Sequence, residues 1–132
     1  MYAYATLGAA DFERACAFYD ATLAPLGISR DNTWAEGGWA RYRHPNGGPA
    51  FYIARPFDGQ APGVGNGSML AFSAPDEATL RAVHAAGLAA GGTDEGAPGP
   101  RPHYGGFCFA YLRDPDGHKL CITVGYPFTE LP

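Results

Sequence analysis

Lysine is nearly missing from this sequence. Lys119 is the only one, and eight arginines are scattered along a chain of net charge −4, so no basic stripe offers itself to nucleic acid. No apolar run approaches the ~20 residues that cross a bilayer. The first ten residues lack the basic segment that opens a secretion signal, which sets the expectation of a cytoplasmic protein. Cysteine is sparse and odd in number. Cys16, Cys108 and Cys121 have no C-x-x-C spacing and read as three reduced thiols rather than disulfides or a zinc site. The four histidines, His44, His84, His103 and His118, contain no i, i+4 pair of the H-E-x-x-H kind. No G-x-S-x-G elbow points to a serine nucleophile. Gly63-Val64-Gly65-Asn66-Gly67 has the glycines of a phosphate loop, but no helical pattern follows it.

What is present is ordinary for a globule: 46% apolar and 17% charged residues over 132 positions, enough for one core and too few for two. Nineteen glycines and twelve prolines gather in a few stretches that read as loops. Met1 to Gly8 alternates like a strand. Asp11 is a good helix N-cap, and Phe12, Ala15, Cys16, Tyr19, Leu23 and Leu26 follow at helical spacing. Thr33 to His44 reads as two short strands around Gly37-Gly38. A turn at Pro45 to Gly48 leads to a strand over Ala50 to Ala54. Asp58 to Gly67 is a Gly/Pro-rich linker. Then Ser68 to Ala74 reads as a strand, and Pro75 and Asp76 open a helix along Leu80, Val83, His84 and Leu88 that closes at Gly91-Gly92. Gly87 inside it costs about 1 kcal/mol relative to Ala, so something else must favour it. Gly96 to Gly106 reads as a loop, Phe107 to Arg113 as a strand, Asp114-Pro115-Asp116-Gly117 as a tight turn and Lys119 to Val124 as the last strand.

The plan repeats. A shift of 65 positions carries Asp11 to Asp76, Tyr19 to His84, Leu23 to Leu88 and Gly27 to Gly92. The first half reads β-α-β-β-β. The second matches it except near Thr93, where no strand pattern is visible. The chain therefore predicts one α+β domain, residues 1–132, with module one at 1–57, a linker at 58–67 and module two at 68–126.

Strand alternation separates two faces. Ala5, Leu7, Phe51, Ile53, Leu70, Phe72, Leu120, Ile122 and Val124 should cover the helices. Tyr4, Thr6, Tyr52, Met69, Ser73, Cys121 and Thr123 form the other, amphipathic face. Two tyrosines, a methionine and a cysteine are poor surface residues, which favours a cleft over an open sheet face.

Three segments carry a resemblance that covers nearly the whole chain: YATLGAADFERACAFYDATLAPLG, MLAFSAPDEATLRAVHAAGLAAGGTDEG and RPHYGGFCFAYLRDPDGHKL. In this order, on this repeat, they resemble the vicinal oxygen chelate superfamily of glyoxalases, bleomycin-resistance proteins and extradiol dioxygenases. The resemblance implies two βαβββ modules with a curved mixed sheet, an incomplete barrel around a cleft, and a homodimer. It also implies metal ligands at set points on the strands. Seven residues before Asp11, where His or Gln is expected, stands Tyr4. Tyr52 stands in place of a Glu and Met69 in place of a His. Cys121, four residues after Gly117, stands in place of a Glu. All four lie on the amphipathic face. Phenols and a thioether are poor ligands for hard or borderline divalent metals, and one thiolate does not hold a metal alone. The expectation is a site position kept without its metal or any other cofactor.

Arg101-Pro102-His103-Tyr104 is the other candidate. Pro100 and Pro102 stiffen the loop, so Arg101 could meet an anionic group and His103 could move a proton. The plainer alternative has Arg101 bonding carbonyls and His103 facing water. Arg41 and Arg43 share a strand face with Trp39 and read as a solvated face with a stacked guanidinium, the alternative being a ligand clamp. His84 reads as a satisfied helix histidine and His118 as an exposed turn residue. Together these readings predict a protein that binds a small, partly aromatic molecule through Tyr4, Tyr52, Met69, Arg101, His103, Tyr104 and Cys121, with no catalytic residue assigned. The alternatives are a glyoxalase- or dioxygenase-type enzyme using relocated ligands or His103/Tyr104 acid–base chemistry, and a dimeric module without a ligand.

Overall fold

The computed structural model describes residues 1–125. The last residue assigned to module two, Tyr126, lies outside them. Eight strands and two helices follow in the order β1 (Tyr4–Gly8), α1 (Phe12–Leu23), β2 (Ser29–Trp34), β3 (Trp39–Arg43), β4 (Ala50–Ala54), β5 (Leu70–Ala74), α2 (Glu77–Ala89), β6 (Thr93–Pro100), β7 (Cys108–Arg113) and β8 (Lys119–Val124). Each half forms one four-stranded mixed sheet, ordered β1-β4-β3-β2 and β5-β8-β7-β6. The parallel pairs β1/β4 and β5/β8 occupy equivalent places, and all other pairs are antiparallel. The fold is α+β with two repeated modules, and the sheets do not close into a barrel.

Both helices start where the caps predict. Asp11 accepts from the Arg14 amide at 3.0 Å and Asp76 from the Thr79 amide at 2.7 Å, each satisfying an amide left open at a helix start. One core joins the modules. Phe12, Phe18, Tyr19 and Leu23 of α1, with Leu80 and Val83 of α2, pack against Tyr42, Phe51, Ile53, Leu112, Leu120 and Ile122 from the two sheets. The rings of Phe51 and Phe72 meet at 5.6 Å across the two halves.

Two expectations are corrected. The loop expected over Gly96 to Gly106 is β6 as far as Pro100, followed by a 3-10 turn at Pro102–Tyr104. β6 is an edge strand, where Pro98 and Pro100 need not donate to a ladder, and two register shifts break its alternation. His118 is buried, at 5% exposure, not exposed. Its Nε2 lies 2.7 Å from the Gly8 carbonyl.

That histidine belongs to a knot fastening the β7–β8 turn of the second module to the β1–α1 junction of the first. The Ala10 amide donates to Asp116 Oδ1 at 3.0 Å, and the buried Tyr19 hydroxyl donates to Asp114 Oδ2 at 2.6 Å. The other Asp114 oxygen accepts from the amides of Asp116 and His118. Asp-Pro-Asp-Gly is thus both a turn and a joint between modules. His84 is also satisfied, with Nε2 3.0 Å from Asp94 Oδ1.

Candidate functional site

β5 stands at an edge of the second sheet, and a cavity of about 690 Å³ wraps around it. Consecutive residues from Met69 to Ser73 therefore line the cavity from both faces of the strand. β7 and β8 supply Phe109, Tyr111, Cys121 and Thr123, and the 3-10 turn supplies Tyr104. Phe109 and Tyr111 lie two residues apart on one strand face. Their rings are parallel within 1° with centroids 6.1 Å apart, and Tyr104 meets Phe109 at 5.6 Å. The first module also lines it, through Ala5, Tyr42, Arg43, Ala50 and Phe51, with His44 and Pro49 beyond the strands.

The polar groups of this cavity are few. Thr123 is 5% exposed and its Oγ1 has no hydrogen-bond partner among the described residues. Cys121 is buried, and that burial pushes its thiol up to about 11, so it stays neutral at ordinary pH. Burial likewise raises the Tyr111 hydroxyl. Among the described residues no carboxylate lines the cavity.

The site residues named from the sequence fall into three places. Met69, Tyr104 and Cys121 line the cavity. Tyr4 and Tyr52 do not. Their rings meet at 5.3 Å on the face of the first sheet opposite Phe51 and Ile53, where Tyr52 also meets Trp39 at 5.8 Å and Trp39 meets Trp34 at 6.1 Å. Arg101 and His103 do not line the cavity either. Arg101 donates to the carbonyls of Gly99 at 2.9 Å and Ala97 at 2.7 Å, and its guanidinium covers the Tyr111 ring at 5.6 Å. His103 is exposed. Sequence reasoning passed over Phe109, Tyr111 and His44, and favoured a solvated face over a ligand clamp for Arg43, which lines the cavity. The two aromatics were findable, because period two along β7 puts them on the face of Cys121, their register partners being Thr123 and Cys121.

The side chains at the expected ligand positions do not suit a divalent metal. A thioether and a neutral thiol line the cavity, and two phenols sit together elsewhere. Among the described residues no three His, Cys, Asp or Glu side chains gather where they could hold an ion. No helix among them is long and apolar enough to cross a membrane.

The comparisons agree with this architecture. A glyoxalase/bleomycin resistance protein from Albidiferax ferrireducens T118 is 40% identical, covering 94% of this chain and 98% of its own, at a TM-score of 0.83. A glyoxalase-related enzyme from Fulvimarina pelagi is 23% identical over 95% of this chain and 88% of its own, at 0.73. Glyoxalase I from Zea mays is 22% identical over 92% of this chain, which spans 45% of that longer chain, at 0.70. These last two share the fold. Comparison with curated proteins yields no match. The family model of the glyoxalase/bleomycin resistance protein/dioxygenase superfamily matches residues 2–122, and the chain belongs to that superfamily.

Proposed function

We propose that this protein binds a small, partly aromatic molecule in the cavity around β5 and sequesters it, without the metal its relatives' fold can carry and without another cofactor. One observation carries the reading. A cavity of about 690 Å³, within the usual range for small-molecule sites, is walled by Tyr104, Phe109 and Tyr111 and retains a buried Thr123 hydroxyl with no partner among the described residues. Aromatic walls reward a flat apolar ligand. An orphaned buried hydroxyl costs free energy until something bonds to it. The binding unit is residues 1–132, with module one at 1–57, the linker at 58–67 and module two at 68–126, in a cytoplasmic protein with no nucleic-acid or membrane partner.

A homodimer is part of this proposal. The row Tyr4, Tyr52, Trp39 and Trp34 keeps Tyr4 at 60% and Trp34 at 54% exposure, a costly surface for a lone chain. A second copy would cover it. The test is a thermal-shift screen of small aromatics, run beside elemental analysis of the purified protein and a light-scattering mass. An aromatic that raises the Tm, with no stoichiometric metal and a dimeric mass, is the expected outcome. A ligand at a hundred times its Kd stabilises the fold by about 2.7 kcal/mol. Stoichiometric metal with no aromatic response would overturn the reading in favour of a metal enzyme with relocated ligands.

A further inference from the structure

The cavity's charge is one-sided. Among the described residues Arg43 and His44 both line it, and no Asp or Glu does. Arg43 is aimed by a neighbour. Asp31 in β2 takes its Nε at 2.9 Å, and the same carboxylate takes Nε and Nη2 of Arg41 at 2.8 and 3.3 Å. One carboxylate thus faces two guanidinium groups, which leaves a surplus of one positive charge at this end of β3. Because Asp31 engages Arg43 through Nε, the Nη1/Nη2 edge stays outside that pair. That edge is the planar fork that matches a carboxylate. His44 follows it in the lining. Its Nδ1 accepts from the Asn46 amide at 3.1 Å, which places the neutral ring's proton on Nε2 as a donor.

In the same lining the parallel rings of Phe109 and Tyr111, with Tyr104 at the edge of Phe109, offer an aromatic surface. We infer that the ligand class of this cavity is an aromatic carboxylate, with its ring against Phe109 and Tyr111 and its anionic group on the Arg43 fork beside His44. The inference rests on the cavity being the binding site proposed above and adds the chemistry of its occupant. It moves anion recognition from Arg101, whose Nη groups are spent on the Gly99 and Ala97 carbonyls, to the Arg43-His44 step.

The probes are 2-naphthoate and 2-naphthamide, which share a ring system and differ in charge. Calorimetric titration of the whole protein should show naphthoate binding at least about tenfold tighter than the amide, as expected for a charge-assisted pair. The preference should shrink at high salt, because the Arg43 side chain is 49% exposed. Arg43→Gln should erase the preference while circular dichroism stays unchanged. Arg43→Lys, which keeps the charge without the fork, should restore part of it. Equal affinity for the two probes in the unaltered protein, or a preference that survives in Arg43→Gln, would overturn the inference while leaving the aromatic cavity standing. Failure of both probes and of neutral 2-naphthol to bind would overturn the cavity reading and this inference with it.

Discussion

Gly87→Ala sets two known effects against each other. In an exposed helix interior this change adds about 1 kcal/mol of stability, because glycine is the poorer helix former. Here Gly87 is buried within α2. A Cβ built on it would lie 2.3 Å from Leu112 Cδ1 and 3.3 Å from Thr22 Cγ2. The first distance is more than 1 Å inside the 3.4 Å where ordinary contact begins. Leu112 and Thr22 are both 0% exposed, so the leucine methyl must move into filled space. Overpacking of this kind costs about 1–3 kcal/mol, and the severity of the overlap puts this site in the upper part of that range. The net expectation is a loss of about 1–2 kcal/mol, read as a lower urea midpoint at unchanged m-value or a Tm lower by about 3–5 °C per kcal/mol.

A partner variant separates the clash from other causes. Leu112→Val removes the offending Cδ1 and alone should cost about 1 kcal/mol. Combined with Gly87→Ala it should cost clearly less than the sum, since each change makes room for the other. A Gly87→Ala protein about 1 kcal/mol more stable than the original would refute the close approach of α1, α2 and β7 on which the core rests.

That glycine also marks how far the sequence can be read. Its helical cost announces that something opposes a side chain at position 87, but the opposing atoms belong to Thr22 and Leu112, whose approach is a tertiary fact. Helix starts were legible because their cause is local: Asp11 and Asp76 cap amides three residues on. β6 was not, because an edge strand with prolines and two register shifts has no period to find. Nor was the burial of His118, whose partner is the Gly8 carbonyl, 110 positions away.

The site shows the same division. Alternation assigns a residue to a face of its own sheet, and Met69, Cys121 and Thr123, grouped on one face by it, all line the cavity. It carries no information on whether the faces of two sheets meet. Among the described residues no strand of one sheet pairs with a strand of the other, and Tyr4 and Tyr52 are not among the residues that line the cavity. Arg43 and His44 reach the cavity from the far end of β3, a position no single-strand pattern reveals.

Three further outcomes are expected. Asp116→Ala leaves the Ala10 amide without its acceptor and loosens the joint between modules, so it should lower stability by about 1–3 kcal/mol in a chemical melt; an unchanged midpoint would remove the knot from the account. At acid pH the fold should weaken, because the Arg41 hydrogen bond holds Asp31, the Gly96 amide holds Asp94 and the Arg113 hydrogen bond holds Glu95 below the usual carboxylate range. The unfolded chain then binds more protons, so stability present above about pH 4 is lost as pH falls through the lower folded values. At alkaline pH the sign reverses. Burial raises Cys16, Tyr19, Tyr42 and Cys121, the last to about 11, so the folded chain holds protons that the unfolded chain releases from about pH 8.5 upward. Stability is full below that point and declines as pH climbs toward the folded values. Tyr19 and Tyr42 donate their hydroxyl protons inside the core, to Asp114 and to Asp20 and the Cys16 carbonyl, so neither should ionise while the fold stands. Phenolate absorbance should therefore rise in two stages, exposed tyrosines first and these two together with the loss of far-ultraviolet circular dichroism. One smooth titration of every tyrosine with the dichroism intact would mean that Tyr19 and Tyr42 are not held in a closed core, and the packing of α1 against both sheets would have to be redrawn.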